Sequence, residues 1–444
     1  MKKIKFSFNS EVEKIIKKFS LNNDWNKNIN QDIDKYESKK FNKKSFNRKD
    51  LKKLDFVTID GEDAKDFDDA VYCEKHESDW KLYVAIADVA HYVENNSNID
   101  KEARKRGTSV YFPGFVIPML PEVLSNNLCS LRPGEDKFTV MAEIIIGKDG
   151  KIKSYKFYNA LISSSARLTY TQVDDFLNKK KSITDKNVIK NINNLFSLYK
   201  ILKKSREKRH AVNFDTQEFS FLISKNNEIT GIKNNIRLES QKLIEECMIA
   251  ANVASSLFIK KNKSNSLYRV HDEPTLEKIE DASISLKNLG YSLNKTKIIC
   301  TEEINKIIEL SKKKLDDHLV TSIILRAMAR AEYTPKNIGH FGLSLKSYNH
   351  FTSPIRRYPD LIVHRIIKNI IEKKENQYDF NNLEKIGTLS SENERNAEAA
   401  ERELQSILLC NYATKFIGKK FDATVNSVVN FGLFIAVKEE PIQG

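Results

Sequence analysis

Acidic side chains are concentrated in one short stretch, Thr58 to Ala70, of a chain that is otherwise basic. The stretch contains one lysine, Lys65, and six carboxylates: Asp60, Glu62, Asp63, Asp66, Asp68 and Asp69. Carboxylates this close together repel one another unless a cation lies between them. Because hard divalent cations prefer carboxylate oxygens as ligands, the stretch is a candidate metal site.

Apolar residues before the acidic stretch indicate how it is positioned. Leu54 to Ile59 is mostly apolar and β-branched, which predicts a buried strand, and Gly61 permits a sharp turn just after it. In extended backbone, Asp68 and Asp69 would point to opposite faces. Either the loop curls around one site or two metal ions bind, and the spacing leaves both arrangements open.

A solvated acidic loop is the simplest alternative to a metal site. It is the weaker interpretation because Ile59, Phe67 and the predicted strand from Ala70 to Tyr72 would anchor the loop in the core. An EF-hand calcium loop is excluded, because that pattern needs its glycine at the sixth position and Gly61 directly follows the first acid.

A second candidate stretch runs from His340 to Leu343 and from Tyr348 to Asp360, with His364 following. Two prolines interrupt it, so it is predicted to be an ordered loop that enters a helix. Such a loop offers many hydrogen-bond donors for a phosphate. A helix N-terminus with solvated arginines is the alternative. The donors are His350, Thr352, Ser353, Arg356 and Arg357.

Three aromatic residues and one glutamate are further candidates. Tyr111, Tyr170 and Phe214 could stack on nucleic-acid bases, since every base has a π-face. Each of them alone is more often a core residue. Glu401 lies in a predicted helix and by itself resembles a surface acid.

Composition limits the classes of protein that the chain can belong to. Its 444 residues predict about three domains, and 74 basic against 60 acidic residues favour a polyanionic partner. The sequence contains no stretch of about 18 apolar residues, so no membrane span is predicted. The first residues lack the apolar core of a signal peptide. Five scattered cysteines predict buried thiols in a reducing cytoplasm, not a zinc site.

The remaining elements follow from capping and periodicity. Ser10 to Glu13 is predicted to cap a first helix, and residues 22–53 are predicted to be a linker. Strands dominate from Leu54 to about Ile162, and a hairpin turn is predicted at Lys148–Gly150. Between the strands, Asp100 is predicted to cap a helix that Gly107 ends. Helices follow, and the tail after Gly418 predicts two strands around Asn430. The predicted helices are Thr171–Asn178, Asp185–Arg209, Leu238–Lys260, Thr275–Leu289, Asp316–Tyr333, Arg357–Lys373 and Asn381–Ile417.

The acidic stretch and the Tyr348–Asp360 string together resemble the catalytic segments of the ribonuclease II and ribonuclease R family. The resemblance implies that Asp60, Asp66, Asp68 and Asp69 form a Mg²⁺ site, with Mn²⁺ as a substitute. It also implies roles for the other candidates: Arg356 on the phosphate near the scissile bond, Tyr111 and Phe214 as a clamp for the 3′ bases, Tyr170 where degradation stops, Arg357 as an RNA contact and Glu401 beside the active site.

The resemblance thus implies an α+β fold, with a mixed sheet flanked by helices around a channel for single-stranded RNA. The expected activity is a cytoplasmic, monomeric, processive 3′→5′ exoribonuclease that acts on RNA 3′ ends, with Asp68, Asp69, Arg356 and Glu401 as catalytic residues. The expected divisions are 1–50 (N-terminal helix and linker), 51–415 (catalytic domain) and 416–444 (start of an OB-fold barrel). The family's two upstream cold-shock barrels are expected to be absent.

Two other classes of protein remain open on sequence grounds. One is a catalytically inactive relative that binds RNA, against which the complete set of four aspartates argues. The other is a simple metal-binding protein, which the arginine-bearing loop disfavours.

Overall fold

A computed structural model describes residues 7–38, 47–214, 218–224, 226, 228–293, 300–314, 316–430, 432–438, 440–442 and 444. Its centre is a six-stranded mixed sheet in the order β1-β8-β2-β3-β4-β7. These strands are β1 (Lys49–Asp50), β2 (Phe56–Asp60), β3 (Asp69–His76), β4 (Asp79–Ala87), β7 (Asp136–Ile146) and β8 (Ile152–Thr169). Shorter strands are β5 (Val110–Phe112), β6 (Phe115–Ile117), β9 (Glu218–Ile223), β10 (Ile229–Asn235), β11 (Tyr268–Val270), β12 (Glu332–Thr334), β13 (Ala423–Val429) and β14 (Gly432–Val437).

The long strand β8 closes the sheet on itself. Its first part pairs antiparallel with β7, and its last residues, Ser164 to Thr169, pair parallel with β2. β2, β3, β4 and β7 connect these two halves through antiparallel pairs. β4 is buried along nearly its whole length, because both of its faces are covered.

Helices surround this sheet, as predicted. α6 packs on β3, α7 packs on β7 and β8, and α11 packs on β8. The helices are α1 (Phe8–Lys18), α2 (Lys27–Ser38), α3 (Val89–Tyr92), α4 (Asn98–Arg106), α5 (Tyr170–Leu177), α6 (Lys186–Lys208), α7 (Glu239–Lys261), α8 (Leu276–Asn288), α9 (Thr301–Lys314), α10 (Asp317–Ala327), α11 (Tyr358–Ile371) and α12 (Phe380–Ala413).

The prediction of a linker over residues 22–53 is wrong for much of that segment. It contains α2 and β1, and Ile29 is fully buried in the main hydrophobic core. Arg106 is the last residue of α4. Its guanidinium stacks on Trp25 and donates to the Asp24 carbonyl, which fixes the segment before α2 to α4. Residues 39–46 of the segment lie outside the described part of the chain.

Two predicted caps are also wrong. α1 begins at Phe8 after Ser7, so the proposed capping box at Ser10 lies inside the helix. α4 is capped by the Ser97 side chain, which accepts a hydrogen bond from Asp100 N, so Asp100 is not its cap. Gly107 does end α4, with a φ of 71°.

The helix predicted over Asp316–Tyr333 overruns the observed one. α10 ends at Ala327, and the chain then forms β12, which pairs with β11. α9 was not predicted. Three cysteines are buried as expected, but Cys300 and Cys410 are exposed.

The two strands predicted around Asn430 are present as β13 and β14, which pair as an antiparallel hairpin. Among the described residues, no helix is both long and apolar enough to cross a membrane.

Candidate active site

The acidic stretch forms a loop that connects the end of β2 to the start of β3. Asp60 is the last residue of β2 and Asp69 is the first of β3, so neighbouring strands hold both ends of the loop. Ser130 fixes the middle, because its hydroxyl donates to Lys65 O (2.8 Å) and accepts from Phe67 N (3.0 Å). The loop is therefore ordered by the protein interior, as the apolar flanking residues predict.

Arg167 holds the first turn of the loop. Its Nη2 donates to the carbonyls of Gly61 (2.7 Å) and Glu62 (2.6 Å), and its guanidinium lies 5.6 Å from the Phe67 ring centre. Sequence reasoning did not single out Arg167. Its position three residues before Tyr170, on the strand that runs beside the predicted acidic loop, was the available signal.

The four aspartates carry raised pKa values. Burial is the largest cause for each, and it raises the pKa of Asp69 to about 7 with a further contribution from the Asp60 charge. Asp68, which is 5% exposed, has a pKa well above its usual range. Asp60 and Asp66 are raised as well, and the Asp66 charge adds to the effect on Asp60. These carboxylates are close enough to disfavour one another's ionisation.

Arg356 is brought against this loop by the second sequence motif. Ile355 N donates to Asp68 Oδ1 (2.9 Å), and Arg356 Nε lies 3.8 Å from Asp68 Oδ2. The Arg356 side chain is 46% exposed, and its Nη2 donates to the Ser353 hydroxyl (3.2 Å). Much of the guanidinium thus remains accessible to a ligand beside the acids.

Three histidines, of which His364 is fully buried and the other two are partly exposed, stabilise the loop that carries Arg356. His350 Nδ1 hydrogen-bonds with the Tyr333 hydroxyl (2.8 Å), and His364 Nε2 hydrogen-bonds with Phe351 O (2.7 Å). His340 Nδ1 accepts from Leu343 N (3.2 Å). Burial lowers the pKa of His364 to about 4, so it is neutral at pH 7. These histidines therefore support the loop as neutral hydrogen-bonding groups.

Tyr111 lies on the β5–β6 hairpin, and its side chain reaches the acidic loop. Its side chain is 41% exposed, and its hydroxyl is 3.5 Å from Asp66 Oδ2. Its backbone N donates to Glu401 Oε1 (2.6 Å). Burial raises the pKa of Glu401, and this hydrogen bond opposes the rise. Glu401 thus fixes the backbone of the hairpin that presents Tyr111.

The other predicted RNA contacts lie in different surroundings. Tyr170 begins α5 partly buried against the main core; after burial, the charges of Asp60 and Asp69 are the next causes that raise its pKa. Phe214 is partly buried against the hydrophobic cluster of α8, α9 and α10. Arg357 is 18% exposed, and its Nη2 donates to Asp360 Oδ1 (2.8 Å). The roles of these three residues stay predictions.

The carboxylates do not form a ready ligand cage. In the part of the chain that the structure describes, no group of three or more His, Cys, Asp or Glu side chains is arranged to hold a metal ion. One oxygen of Asp60 accepts from Gly61 N, and one oxygen of Asp68 accepts from Ile355 N. The donor set itself, which is all carboxylate, suits Mg²⁺ or Mn²⁺ and not zinc.

Comparisons with known proteins identify the family of the chain. A family model described as RNB domain matches residues 48–373. Ribonuclease R of Escherichia coli (strain K12) is 42% identical over 402 residues, which cover 87% of this chain and 49% of that protein. Ribonuclease R of Buchnera aphidicola subsp. Schizaphis graminum (strain Sg) is 42% identical over 430 residues, which cover 95% of this chain and 59% of that protein.

A solved structure gives the same result. The structure described as Mycoplasma genitalium RNase R in complex with ribose methylated single-stranded RNA superposes with a TM-score of 0.93 at 31% identity. The match covers 98% of this chain and 69% of that one. The family model covers well over half of the chain, and the chain therefore belongs to the RNB domain family. These relatives are ribonuclease R proteins. The chain spans about half the length of the two curated relatives, those of Escherichia coli and Buchnera aphidicola.

Proposed function

We propose that this chain is a magnesium-dependent, processive 3′→5′ exoribonuclease that hydrolyses single-stranded RNA to nucleoside 5′-monophosphates. The observation that carries the proposal is the contact between Asp68 and the loop of Arg356, which places one accessible guanidinium beside four buried or half-buried carboxylates. The similarity to ribonuclease R proteins, one of them in complex with single-stranded RNA, supports the substrate and the direction.

Asp60, Asp66, Asp68 and Asp69 would hold the metal ion. Their raised pKa values reflect burial and mutual repulsion, which a divalent cation between them would offset. Because the side chains are not arranged as a cage, binding would require them to reorient. When bound, Mg²⁺ supplies an activated water and neutralises charge on the phosphate.

Arg356 would bind the phosphate that is being cleaved. A guanidinium donates paired hydrogen bonds to phosphate oxygens, and these strengthen as negative charge develops in the transition state. Ser353 supports this side chain from the protein side, and nearly half of the side chain stays accessible to a ligand. Arg356 therefore acts on the phosphate, while its loop is held by Asp68 through Ile355 N.

Tyr111 would stack on a base next to that phosphate. Its ring is accessible, and its hydroxyl and backbone N are both tied to site residues, Asp66 and Glu401. Stacking on an aromatic ring tolerates every base, which suits an exonuclease that removes all four nucleotides.

The test is a time course on a 5′-labelled single strand and on a duplex with a 3′ single-stranded tail. We expect the labelled strand to shorten from its 3′ end in Mg²⁺ with few intermediates of medium length, chromatography of the released nucleotides to show 5′-monophosphates, and no hydrolysis in EDTA. Full activity in EDTA would contradict the metal assignment, and label released first as a mononucleotide from the 5′ end would contradict the direction.

Tyr111→Ala tests the stacking role. Loss of one stack costs about 1–3 kcal/mol per base, so affinity for short RNA should fall roughly 5- to 150-fold or the final fragment should lengthen. Tyr111→Phe is the matched control, because it keeps the ring and removes only the hydroxyl near Asp66. An unchanged product ladder and unchanged binding for Tyr111→Ala would contradict the role.

RNA binding without cleavage is the second candidate, and the lack of a ready ligand cage favours it. The same time course decides between the two. Tight binding of the single strand with no hydrolysis in either Mg²⁺ or Mn²⁺ would establish the inactive form.

A further inference from the structure

Residues 107–111, which we call the strap, connect the end of α4 to β5 and run along the Arg356 loop. Tyr358 N donates to Gly107 O (2.9 Å), and Ser109 N donates to Arg356 O (3.0 Å). The Thr108 hydroxyl also donates to Arg356 O (3.2 Å) and lies 3.3 Å from Ser109 O. The backbone carbonyl of Arg356 thus accepts two hydrogen bonds from the strap.

The other end of the strap is Tyr111. Its N is bound to Glu401 and its hydroxyl reaches Asp66. Only a few residues separate the contacts with Arg356 from Tyr111, and an extended chain spans about 3.3–3.6 Å per residue. The strap therefore sets the separation between the arginine and the tyrosine.

The start of the strap is fixed by α12. Gly107 has a φ of 71°, and a Cβ there would lie 2.7 Å from Asn393 Nδ2. Asn393 Nδ2 donates to Lys105 O (3.0 Å). Inside the strap, the buried Ser109 hydroxyl accepts from Met119 N (2.9 Å). The strap is thus held at several points along its length. If its contact with Arg356 is weakened, the strap therefore stays in place and the arginine loop is the segment that moves.

We propose that the strap is a positioning element and that Thr108 is a positioning residue, which aims Arg356 by fixing its backbone carbonyl. The inference rests on the function proposed above. The Arg356 side chain is long and half exposed, so the direction of its guanidinium depends on the backbone that carries it. A small displacement of a group that must meet a transition state costs rate more than it costs binding.

Thr108 is well suited to a sharp test because its hydroxyl can be removed without a change of shape. Thr108→Val keeps the β-branched side chain and removes the donor, whereas Thr108→Ser keeps the donor. Thr230→Val is the matched control, because the Thr230 hydroxyl also donates to a strand carbonyl, Leu222 O (2.9 Å), in the β9–β10 hairpin.

The experiment measures kcat and KM on a 5′-labelled single strand in Mg²⁺, with enzyme in excess for slow variants. Removing one hydrogen bond and loosening the arginine should lower kcat of Thr108→Val about 3- to 10-fold, with KM changed less than about 2-fold. Thr108→Ser and Thr230→Val should stay within about 2-fold of the parent in both constants.

The same valine substitution is then made in an Arg356→Ala background. A residue that acts only through Arg356 has nothing left to position there, so Thr108→Val should cause no further loss. A loss of the same size in both backgrounds would show a purely structural role and overturn the inference.

Two further results would also overturn it. One is Thr108→Val with parental kcat, and the other is a change in KM alone. A parent that does not hydrolyse RNA at all would instead refute the proposed function, which the parent reaction shows before any variant is compared, and the inference would fall with it.

Discussion

The four aspartates of the acidic loop and the single aspartate Asp88 lie at neighbouring strand ends and differ in their counter-charges. Asp88, directly after β4, is fully buried and accepts hydrogen bonds from Lys368 Nζ (2.8 Å to each oxygen) and Arg48 Nη2 (2.6 Å). Asp68, in the acidic loop, is joined to the same strand end, since Ala87 N donates to its carbonyl (2.8 Å). Asp68 and Asp88 are thus both buried and lie at the same end of β4.

Their pKa values move in opposite directions. Burial by itself would raise the pKa of Asp88, but the charges of Lys368 and Arg48 outweigh it and lower the pKa. Burial raises the pKa of Asp68 well above its usual range, and the Arg356 charge does not compensate. One carboxylate with two cations is complete within the protein, whereas four carboxylates near one half-exposed arginine need a cation from outside. Strongly perturbed carboxylates of the second kind are typical of functional sites.

The largest expected effect distinguishes the acidic loop from Asp88 by the rate of RNA hydrolysis. Asp69→Asn should lower the rate of RNA hydrolysis by orders of magnitude, because the charge that holds a divalent ion is lost while the shape is kept. RNA affinity should hold or rise, since one negative charge near the phosphates is removed. Single-turnover hydrolysis and filter binding measure the two quantities. A rate near the parent's, or joint loss of cleavage and binding in a folded protein, would contradict the comparison.

Asp88→Asn should show the reverse profile. It leaves Lys368 and Arg48 buried without their carboxylate, which should cost about 3–5 kcal/mol of folding free energy. Urea titration measures the loss, and the folded fraction should keep its activity. Asp79→Asn is the control, because Asp79 pairs with a half-exposed lysine, Lys153, at the surface. That variant should change stability by less than about 1 kcal/mol. Equal midpoints for the two variants would refute the structural role of Asp88.

Added Mg²⁺ should stabilise the parent and should again distinguish the acidic loop from Asp88. A ligand at about 100 times its Kd stabilises the folded state by about 2.7 kcal/mol. The rise in Tm should be present in the parent and in Asp88→Asn, and absent in Asp69→Asn. EDTA should reverse it. A rise of the same size in Asp69→Asn would place the ion elsewhere.

The smallest expected effect is a pH-dependent difference in stability between metal-free parent and Asp69→Asn. The folded-state pKa of Asp69, about 7, lies above its ordinary 3.8, so this group favours folding at low pH and loses that contribution as pH rises through 7. Asp69→Asn has no titrating carboxylate at this position, so its stability does not fall in this way as pH rises. One pKa unit is equivalent to about 1.4 kcal/mol, and partial exposure of Asp69 screens the effect, so the variant should gain about 1–3 kcal/mol over the parent by pH 8. Thermal unfolding in EDTA from pH 4 to 8 measures it, and a constant difference would contradict the shift.

Local features of the fold were the ones that the sequence predicted. The β8 hairpin turn, the end of α4 at Gly107 and the strand before Asp60 each depend on a few adjacent residues. Ser10 was a wrong cap because α1 begins where Phe8 packs into a second hydrophobic cluster, and packing outweighs a capping pattern. The helix predicted through Tyr333 failed because β12 pairs with β11, which lies far away in sequence.

The candidate site likewise combines features that are local in sequence with contacts between distant residues. By itself, the sequence determined that four aspartates are crowded together and that an arginine-rich loop enters a helix, because crowding and proline positions are local. Only the tertiary structure decided that Asp68 meets Arg356, 288 positions along the chain, and that Asp88 is neutralised by Lys368, 280 residues away. The pKa of a buried carboxylate depends on which charges the fold brings within a few ångströms, and spacing along the chain does not contain that information.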